Sequence, residues 1–160
     1  MMDGYKEAAE LVRLKVHGVL PDSNTDTQIV ILRDEEHAEV LPIWVGSAEG
    51  NAIRLALEGV VPPRPMSHDL IRSFTEHLNI KMSCAVITDV KSNTYYATVH
   101  LTAHGIERAL DSRPSDAIAL ALRTNSPIYV TQDVLKQRGG NNLEAWLEKL
   151  ETKNLGKHEV

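Results

Sequence analysis

One stretch of this sequence decides the fold, and it reads Asp111-Ser112-Arg113-Pro114-Ser115-Asp116-Ala117-Ile118-Ala119-Leu120-Ala121. Proline suits the first turn of a helix, because the amide hydrogen that it lacks would have no partner there. The run from Ala117 to Leu122 is apolar on every side, which is typical of a helix inside a protein core. The stretch therefore predicts a buried helix whose charged N-terminal end reaches solvent.

A second charged proline turn, Arg64-Pro65-Met66-Ser67-His68-Asp69, repeats the pattern of Arg-Pro followed by Ser and Asp. Apolar residues follow it at helical spacing, so it also predicts a helix start, with Ser67 as the N-cap. Ser47 is the predicted N-cap of another helix, which ends near Gly59. We expect three helices with acidic residues in their first turns.

Alternating apolar residues predict the strands of a sheet. The predicted strands are Val12–Val16, Gln28–Leu32, Val40–Val45, Ile80–Val90, Tyr95–Leu101 and Pro127–Val130. Thr131 is predicted to cap a helical turn through Leu135, and a final amphipathic helix carries Leu143, Trp146, Leu147 and Leu150. The sequence predicts an α+β fold: a compact single domain with a mixed, largely antiparallel sheet packed against three main helices. Residues 1–138 form this domain, and residues 139–160 form a C-terminal helix and polar tail.

Composition limits the classes of partner. The chain of 160 residues has a formal net charge of -5, so a contact with a polyanion needs a local patch or a bound cation. Aromatic residues are 4% of the chain, which leaves few platforms for base stacking, and we interpret Trp44 as a core or interface anchor. The lone Cys84 predicts a reducing, cytoplasmic setting. No signal peptide or membrane-spanning segment is expected.

The carboxylates Glu49, Asp69 and Asp116 each fall in the first turn of a different predicted helix. The helix dipole favours acids there by about 0.3–1 kcal/mol, which explains each of them without any chemistry. If the helix ends converge, the same carboxylates hold a divalent cation while Arg64 and Arg113 bind phosphate oxygens. Both interpretations remain open at this point.

Histidines are the other candidates for chemistry. His68 adjoins Asp69 and is interpreted as a general base, a metal ligand or a proton donor, or as a histidine paired with a neighbouring carboxylate. His100 and His104 follow a predicted strand, where four residues span about 13 Å, too far to share one ion. We interpret these two as structural or exposed.

Several blocks together resemble the bifunctional nuclease domain family. In order along the chain, they are Leu41-Pro42-Ile43-Trp44-Val45-Gly46 with Glu49, Pro63-Arg64-Pro65 with His68-Asp69-Leu70, Tyr95-Tyr96-Ala97, and the stretch from Asp111 to Ala121. The resemblance covers most of the chain, from about Val12 to Leu135. It implies a compact α+β domain that self-associates as a homo-oligomer, a dimer or higher. It also implies nuclease activity on DNA and RNA.

Carried over by position, the family resemblance implies a set of site residues. They are Glu49, Arg64, His68, Asp69, Arg113, Ser115 and Asp116. From the chemistry of these residue types, we interpret His68, Asp69, Arg113 and Asp116 as catalytic, Arg64 and Ser115 as substrate-binding, and Glu49, Asp69 and Asp116 as ligands of Mg²⁺ or Mn²⁺. The leading hypothesis is a metal-dependent nuclease that hydrolyses phosphodiester bonds with little base specificity. The alternatives are a non-catalytic binding or regulatory module, and a binder or hydrolase of a small phosphorylated ligand.

Overall fold

A seven-stranded sheet is the central element of the computed structural model, which describes residues 10–34, 36, 39–139 and 146–152. The strands are β1 (Leu11–Pro21), β2 (Gln28–Asp34), β3 (Glu39–Val45), β4 (Ile80–Lys91), β5 (Thr94–Ala103), β6 (Ile106–Ser112) and β7 (Ile128–Thr131). Their order across the sheet is β3-β2-β1-β7-β4-β5-β6. All neighbouring strands are antiparallel except β4 and β7, which are parallel.

The helices are α1 (Ser47–Leu57), α2 (Ser67–His77), α3 (Pro114–Thr124), α4 (Gln132–Arg138) and α5 (residues 146–152). The predicted α+β fold with a mixed, largely antiparallel sheet is confirmed. Leu143, which the sequence assigned to the last helix, and the tail from residue 153 lie outside the described residues. Among the described helices, none has both the length and the apolar character that crossing a membrane requires.

Strand β6 is the element that the sequence did not predict. Its seven residues carry no apolar alternation, because the strand lies at the edge of the sheet and six of its residues are exposed. Periodicity reveals a strand only when one face is buried. Asp111 and Ser112, interpreted as part of a helix start, are therefore the end of β6, and α3 begins at Pro114.

The main core lies between α3 and one face of the sheet. Ala117, Ile118, Ala119 and Ala121 of α3 have no exposed surface, as the apolar run predicted. Val30 and Leu32 of β2 belong to this core, whereas their neighbours Ile29 and Ile31 pack with Leu147 in a second, smaller cluster. Successive side chains of a strand point to opposite faces, so the two clusters lie on opposite sides of β2.

The helix starts differ from the predicted caps by one residue. The N-caps are Gly46 for α1, Met66 for α2 and Arg113 for α3, and none of these uses a side-chain acceptor as a cap. Ser47 and Ser67 are already helical, so both predicted hydroxyl caps are wrong. Pro114 is the first helical residue as predicted, but Pro65 precedes the N-cap of its helix. Thr131 does cap α4, since its hydroxyl accepts a hydrogen bond from the Val134 amide.

Candidate active site

The starts of α1, α2 and α3 meet in one charged group, which we call the helix-start cluster: Glu49, His68, Arg113 and Asp116. The Arg113 guanidinium donates to both oxygens of Asp116, from Nε to Oδ2 at 2.9 Å and from Nη2 to Oδ1 at 3.2 Å. Its Nη1 donates to Glu49 Oε1 at 3.3 Å. The convergence that the sequence left open is therefore real for these two carboxylates.

His68 completes the helix-start cluster from α2. Its Nε2 lies 2.9 Å from Asp116 Oδ1, and the imidazole is mostly buried. Burial by itself would raise the pKa of Asp116, but the hydrogen bonds from Arg113 and His68 outweigh it and hold this pKa below its usual range. An ionised carboxylate only accepts hydrogen bonds, so Nε2 carries the proton and Nδ1 of neutral His68 is left to accept one.

Local chain geometry explains how the helix-start cluster forms. Arg113 is the extended N-cap residue of α3, and Asp116 lies three residues later in the first turn, where the two side chains reach each other. Gly46 is the N-cap of α1, and its missing side chain leaves room for the carboxylate of Glu49, with which a Cβ at this position would clash. Gly46 was not predicted from the sequence to shape the site.

A pocket of about 280 Å³ opens beside the helix-start cluster. Its walls include Glu49 and Arg113, Tyr95 of β5, and Ser115 at the start of α3. Ser115 is only 6% exposed, and its hydroxyl makes no hydrogen bond to any described residue. The first amides of a helix also lack partners inside the helix, which makes this end of α3 suited to an anion.

Asp69 does not belong to the helix-start cluster. Its Oδ2 accepts the Met66 amide at 2.9 Å, and its Oδ1 accepts Arg123 Nε at 2.9 Å. The hydrogen bond from Met66 lowers the pKa of Asp69, burial opposes this, and Arg123 adds to the lowering. The carboxylate predicted as a catalytic group and metal ligand is therefore engaged with an arginine and its own helix start.

Arg64 stands apart from these groups. It is exposed, and it forms no hydrogen bond or ion pair with any residue in the described part of the chain. No hydrogen bond or ion pair joins Arg64 to the helix-start cluster, so its predicted role in binding substrate rests on its charge alone.

The donor groups as arranged do not fit the predicted ion. Among the described residues no three acidic, histidine or cysteine side chains come together as a metal-binding group. Arg113 lies between Glu49 and Asp116, where a cation shared by both carboxylates would have to bind, and Asp69 pairs with Arg123. The guanidinium of Arg113 already neutralises one of the two negative charges of Glu49 and Asp116. We derive no step through a metal ion from this geometry.

Other residues from the sequence analysis have structural positions. Cys84 is buried, and burial raises the pKa of its thiol to about 11, so this side chain packs in the core as a neutral thiol. His100 is buried in β5 and His104 is exposed in the turn that follows. Trp44 is 49% exposed, with Nε1 bonded to Asp22 and its ring 6.1 Å from that of Trp146, so it is not a core anchor.

Arg123 is the residue that the sequence analysis missed. Its side chain is 5% exposed, and besides Asp69 it donates to the carbonyls of Ala119 and Ala52. Arginine is almost never buried without partners, and Arg123 directly follows the apolar run of α3. That position was the available signal, since a cation at the end of a buried helix needs a counter-charge.

The fold and the helix-start cluster define an α+β domain with a charged, solvent-accessible site at the meeting point of three helices. A sequence model described as the bifunctional nuclease domain matches residues 30–142. An uncharacterised protein of Mycobacterium tuberculosis strain H37Rv is 37% identical over 126 residues, covering 79% of this chain and 75% of that protein. The chain belongs to the bifunctional nuclease domain family.

Plant relatives are more distant and longer. Bifunctional nuclease 1 of Oryza sativa subsp. japonica is 29% identical over 123 residues, which are 75% of this chain but 37% of the rice protein. Bifunctional nuclease 2 of Arabidopsis thaliana is 25% identical over 118 residues, which are 72% of this chain and 36% of that protein. The chain thus matches little more than a third of each of these plant proteins.

Proposed function

We propose that this protein is a nuclease that hydrolyses phosphodiester bonds in single-stranded or flexible DNA and RNA, with little base specificity. The observation that carries the proposal is the hydrogen-bonded group of His68, Asp116 and Arg113 at the solvent-facing start of α3. It combines a proton-transfer group, a carboxylate that orients it and a cation. The names of the plant relatives support the same reaction.

We propose a role for each group in this reaction. The scissile phosphate binds at the start of α3, where Arg113 and Ser115 line the pocket and the first amides of the helix are available to an anion. His68 Nδ1 takes a proton from water as the water oxygen bonds to phosphorus. The bond from phosphorus to the leaving oxygen breaks, and that oxygen takes a proton from solvent. Water is the nucleophile because DNA has no 2′-hydroxyl group.

The negative charge of the helix-start cluster opposes the binding of a phosphodiester. With neutral His68, the formal charges of Glu49, Asp116 and Arg113 leave the helix-start cluster with one negative charge, which repels a phosphodiester. Additional positive charge must therefore accompany the substrate, and exposed Arg64 is one source. The requirement for Mg²⁺ or Mn²⁺ stays a prediction, and the assay below tests it directly.

The test is the cleavage of labelled single-stranded DNA and RNA oligonucleotides by the wild type and His68→Gln. Each is assayed with Mg²⁺, with Mn²⁺ and with a chelator. His77→Gln is the matched control, because His77 lies at the other end of α2 and bonds to the Ser73 carbonyl. We expect His68→Gln to lose about 10²–10⁴-fold in rate and the control to keep it. Equal rates in all three proteins would identify a contaminating nuclease.

A non-catalytic module is the second candidate, and one observation favours it. The positive charge of Arg113 is already balanced by Asp116 and Glu49, an arrangement that also serves to hold three helix starts together. This function predicts that no oligonucleotide is cleaved and that no metal or nucleotide raises the melting temperature. A stabilising nucleoside phosphate without cleavage would instead support a binder of a small phosphorylated ligand.

We also propose that the protein self-associates through the β6 edge of the sheet. β6 presents unpaired backbone groups, and Ile106 and Leu110 on it are about half exposed. Phe74 of α2 is 60% exposed, so apolar surface is available on more than one element. Light scattering at micromolar concentration is expected to give at least a dimer mass, and Leu110→Asp to lower it. A monomer mass for the wild type would refute self-association.

A further inference from the structure

Two adjacent residues at the start of α2 bind two separate points on α3. His68 contacts Asp116 in the first turn of α3, and Asp69 contacts Arg123 near its other end. Asp116 and Arg123 are seven residues apart, which corresponds to about two turns and about 10 Å along one face of a helix. The start of α2 is thus attached to α3 at both ends of a short span.

The attachment at Arg123 is fixed independently of Asp69. The Arg123 guanidinium donates to Ala119 O at 3.0 Å within α3 and to Ala52 O of α1 at 3.1 Å. Asp69 is fixed equally well on its own side, because its second oxygen accepts the amide of Met66, the N-cap of α2. The acceptor Asp69 is thus held in place on α2, and the donor Arg123 is held in place between α1 and α3.

We propose that Asp69 and Arg123 form a positioning pair that holds the start of α2 so that His68 meets Asp116. The inference rests on the proposed function in giving His68 a catalytic role. In it, Asp69 is neither a catalytic residue nor a metal ligand, since both of its oxygens are occupied by donors of the protein itself. With this pair broken, α2 pivots about its remaining contacts and the imidazole moves away from Asp116.

The first test separates positioning from folding. Asp69→Asn removes the charge and keeps the size of the side chain, and Arg123→Lys keeps the charge and removes the planar fork that bonds at three points. Glu76→Gln is the matched control, because Glu76 lies on the same helix and its exposed side chain forms an ion pair with Arg72. At a temperature where circular dichroism shows all proteins fully folded, we expect kcat to fall about 10–100-fold in the first two variants. We expect the KM of these two variants to equal that of the wild type, and we expect Glu76→Gln to keep both the kcat and the KM of the wild type.

Wild-type kcat in folded Asp69→Asn and Arg123→Lys would overturn the positioning role while leaving the nuclease proposal intact. The second test does not depend on activity. In ¹⁵N-labelled full-length protein, the Nε2 proton of His68, assigned by its loss in His68→Gln, is expected to exchange slowly because it is bonded to Asp116. Loss of this proton resonance in Asp69→Asn would support the positioning pair. An unchanged exchange rate of this proton in Asp69→Asn would overturn the positioning pair, even if the wild type cleaves no substrate.

Discussion

The two Arg-Pro turns look alike in sequence and occupy different structural settings. In the second turn, Arg113 is the N-cap residue itself, so its side chain reaches Asp116 three residues later. In the first turn, Arg64 precedes the N-cap Met66 by two residues and remains exposed, while Asp69 turns inward to Arg123. In the first turn the proline comes before the N-cap residue, and in the second turn it comes after it. This difference places Arg113 and Asp116 at a surface site, whereas Asp69 makes a buried contact with Arg123.

Because of this difference, the two turns contribute different groups to the site and to the protein interior. The second turn supplies the cation and carboxylate of the helix-start cluster, both of them partly exposed. The first turn supplies His68 to that cluster and commits its own carboxylate to the interior. Exposed ion pairs contribute little to stability, whereas a buried charge that loses its partner is costly. Of the two arginines, we therefore expect Arg113 to matter more for function, and of the two aspartates, we expect Asp69 to matter more for stability.

The largest effect is expected for the activity of Arg113→Gln compared with Arg64→Gln. Removing one group that stabilises charge in the transition state costs about 10²–10³-fold in kcat, which is our expectation for Arg113→Gln. Arg64→Gln should lower activity far less, and its effect should fade as salt rises, because an exposed charge is screened. Rates of oligonucleotide cleavage over a salt series check both. An equal or greater loss for Arg64→Gln would show that the first turn reaches the substrate directly.

The next effect concerns stability. Asp69→Ala leaves the buried guanidinium of Arg123 without its counter-charge, so we expect the free energy of unfolding to fall by about 3–5 kcal/mol. Asp116→Ala unpairs an arginine that is 63% exposed and a histidine that is 12% exposed, so a smaller loss of about 1–3 kcal/mol is expected. Urea denaturation of the two variants measures the difference. A larger loss for Asp116→Ala would contradict the expectation that Asp69 matters more for stability.

The smallest effect is the dependence of stability on pH. The pKa values of Asp69 and Asp116 lie below their usual range in the folded protein, because their ionised forms accept hydrogen bonds there. The stability that these carboxylates contribute is thus fully present above the unfolded pKa of about 3.9 and is lost as pH falls through the folded values. We expect the free energy of unfolding, measured by urea denaturation, to fall between about pH 6 and about pH 2, which is about two units on either side of that pKa.

Each carboxylate can be tested separately in the same pH series. Asp69→Asn and Asp116→Asn should each flatten part of the decline, since an amide does not titrate. A curve identical to that of the wild type in either variant would show that the carboxylate concerned does not couple folding to protons.

Local patterns allowed most of the fold to be predicted from the sequence. The alternation in β4 and β5 and the apolar run of α3 reflect burial on one face or on all sides, which periodicity reports directly. β6 escaped because an exposed edge strand has no such signal. The sequence predicted which residues are charged at the helix starts, but it did not predict which of them form pairs. The structure brings together Glu49, His68, Arg113 and Asp116, whereas Asp69 forms an ion pair with Arg123. Which carboxylate faces which cation depends on how helices pack, and helix-capping preferences carry no information about that.

Binding of phosphate at the start of α3 can be observed by NMR spectroscopy without any cleavage. A single-stranded phosphorothioate oligonucleotide, which resists cleavage, is titrated into ¹⁵N-labelled protein while the backbone amide resonances are followed. We expect the largest shifts on the amides of Ser115, Asp116 and the neighbouring Ala117, and we expect Arg113→Gln to reduce these shifts. Binding that shifts other amides and leaves the first turn of α3 unmoved would contradict it.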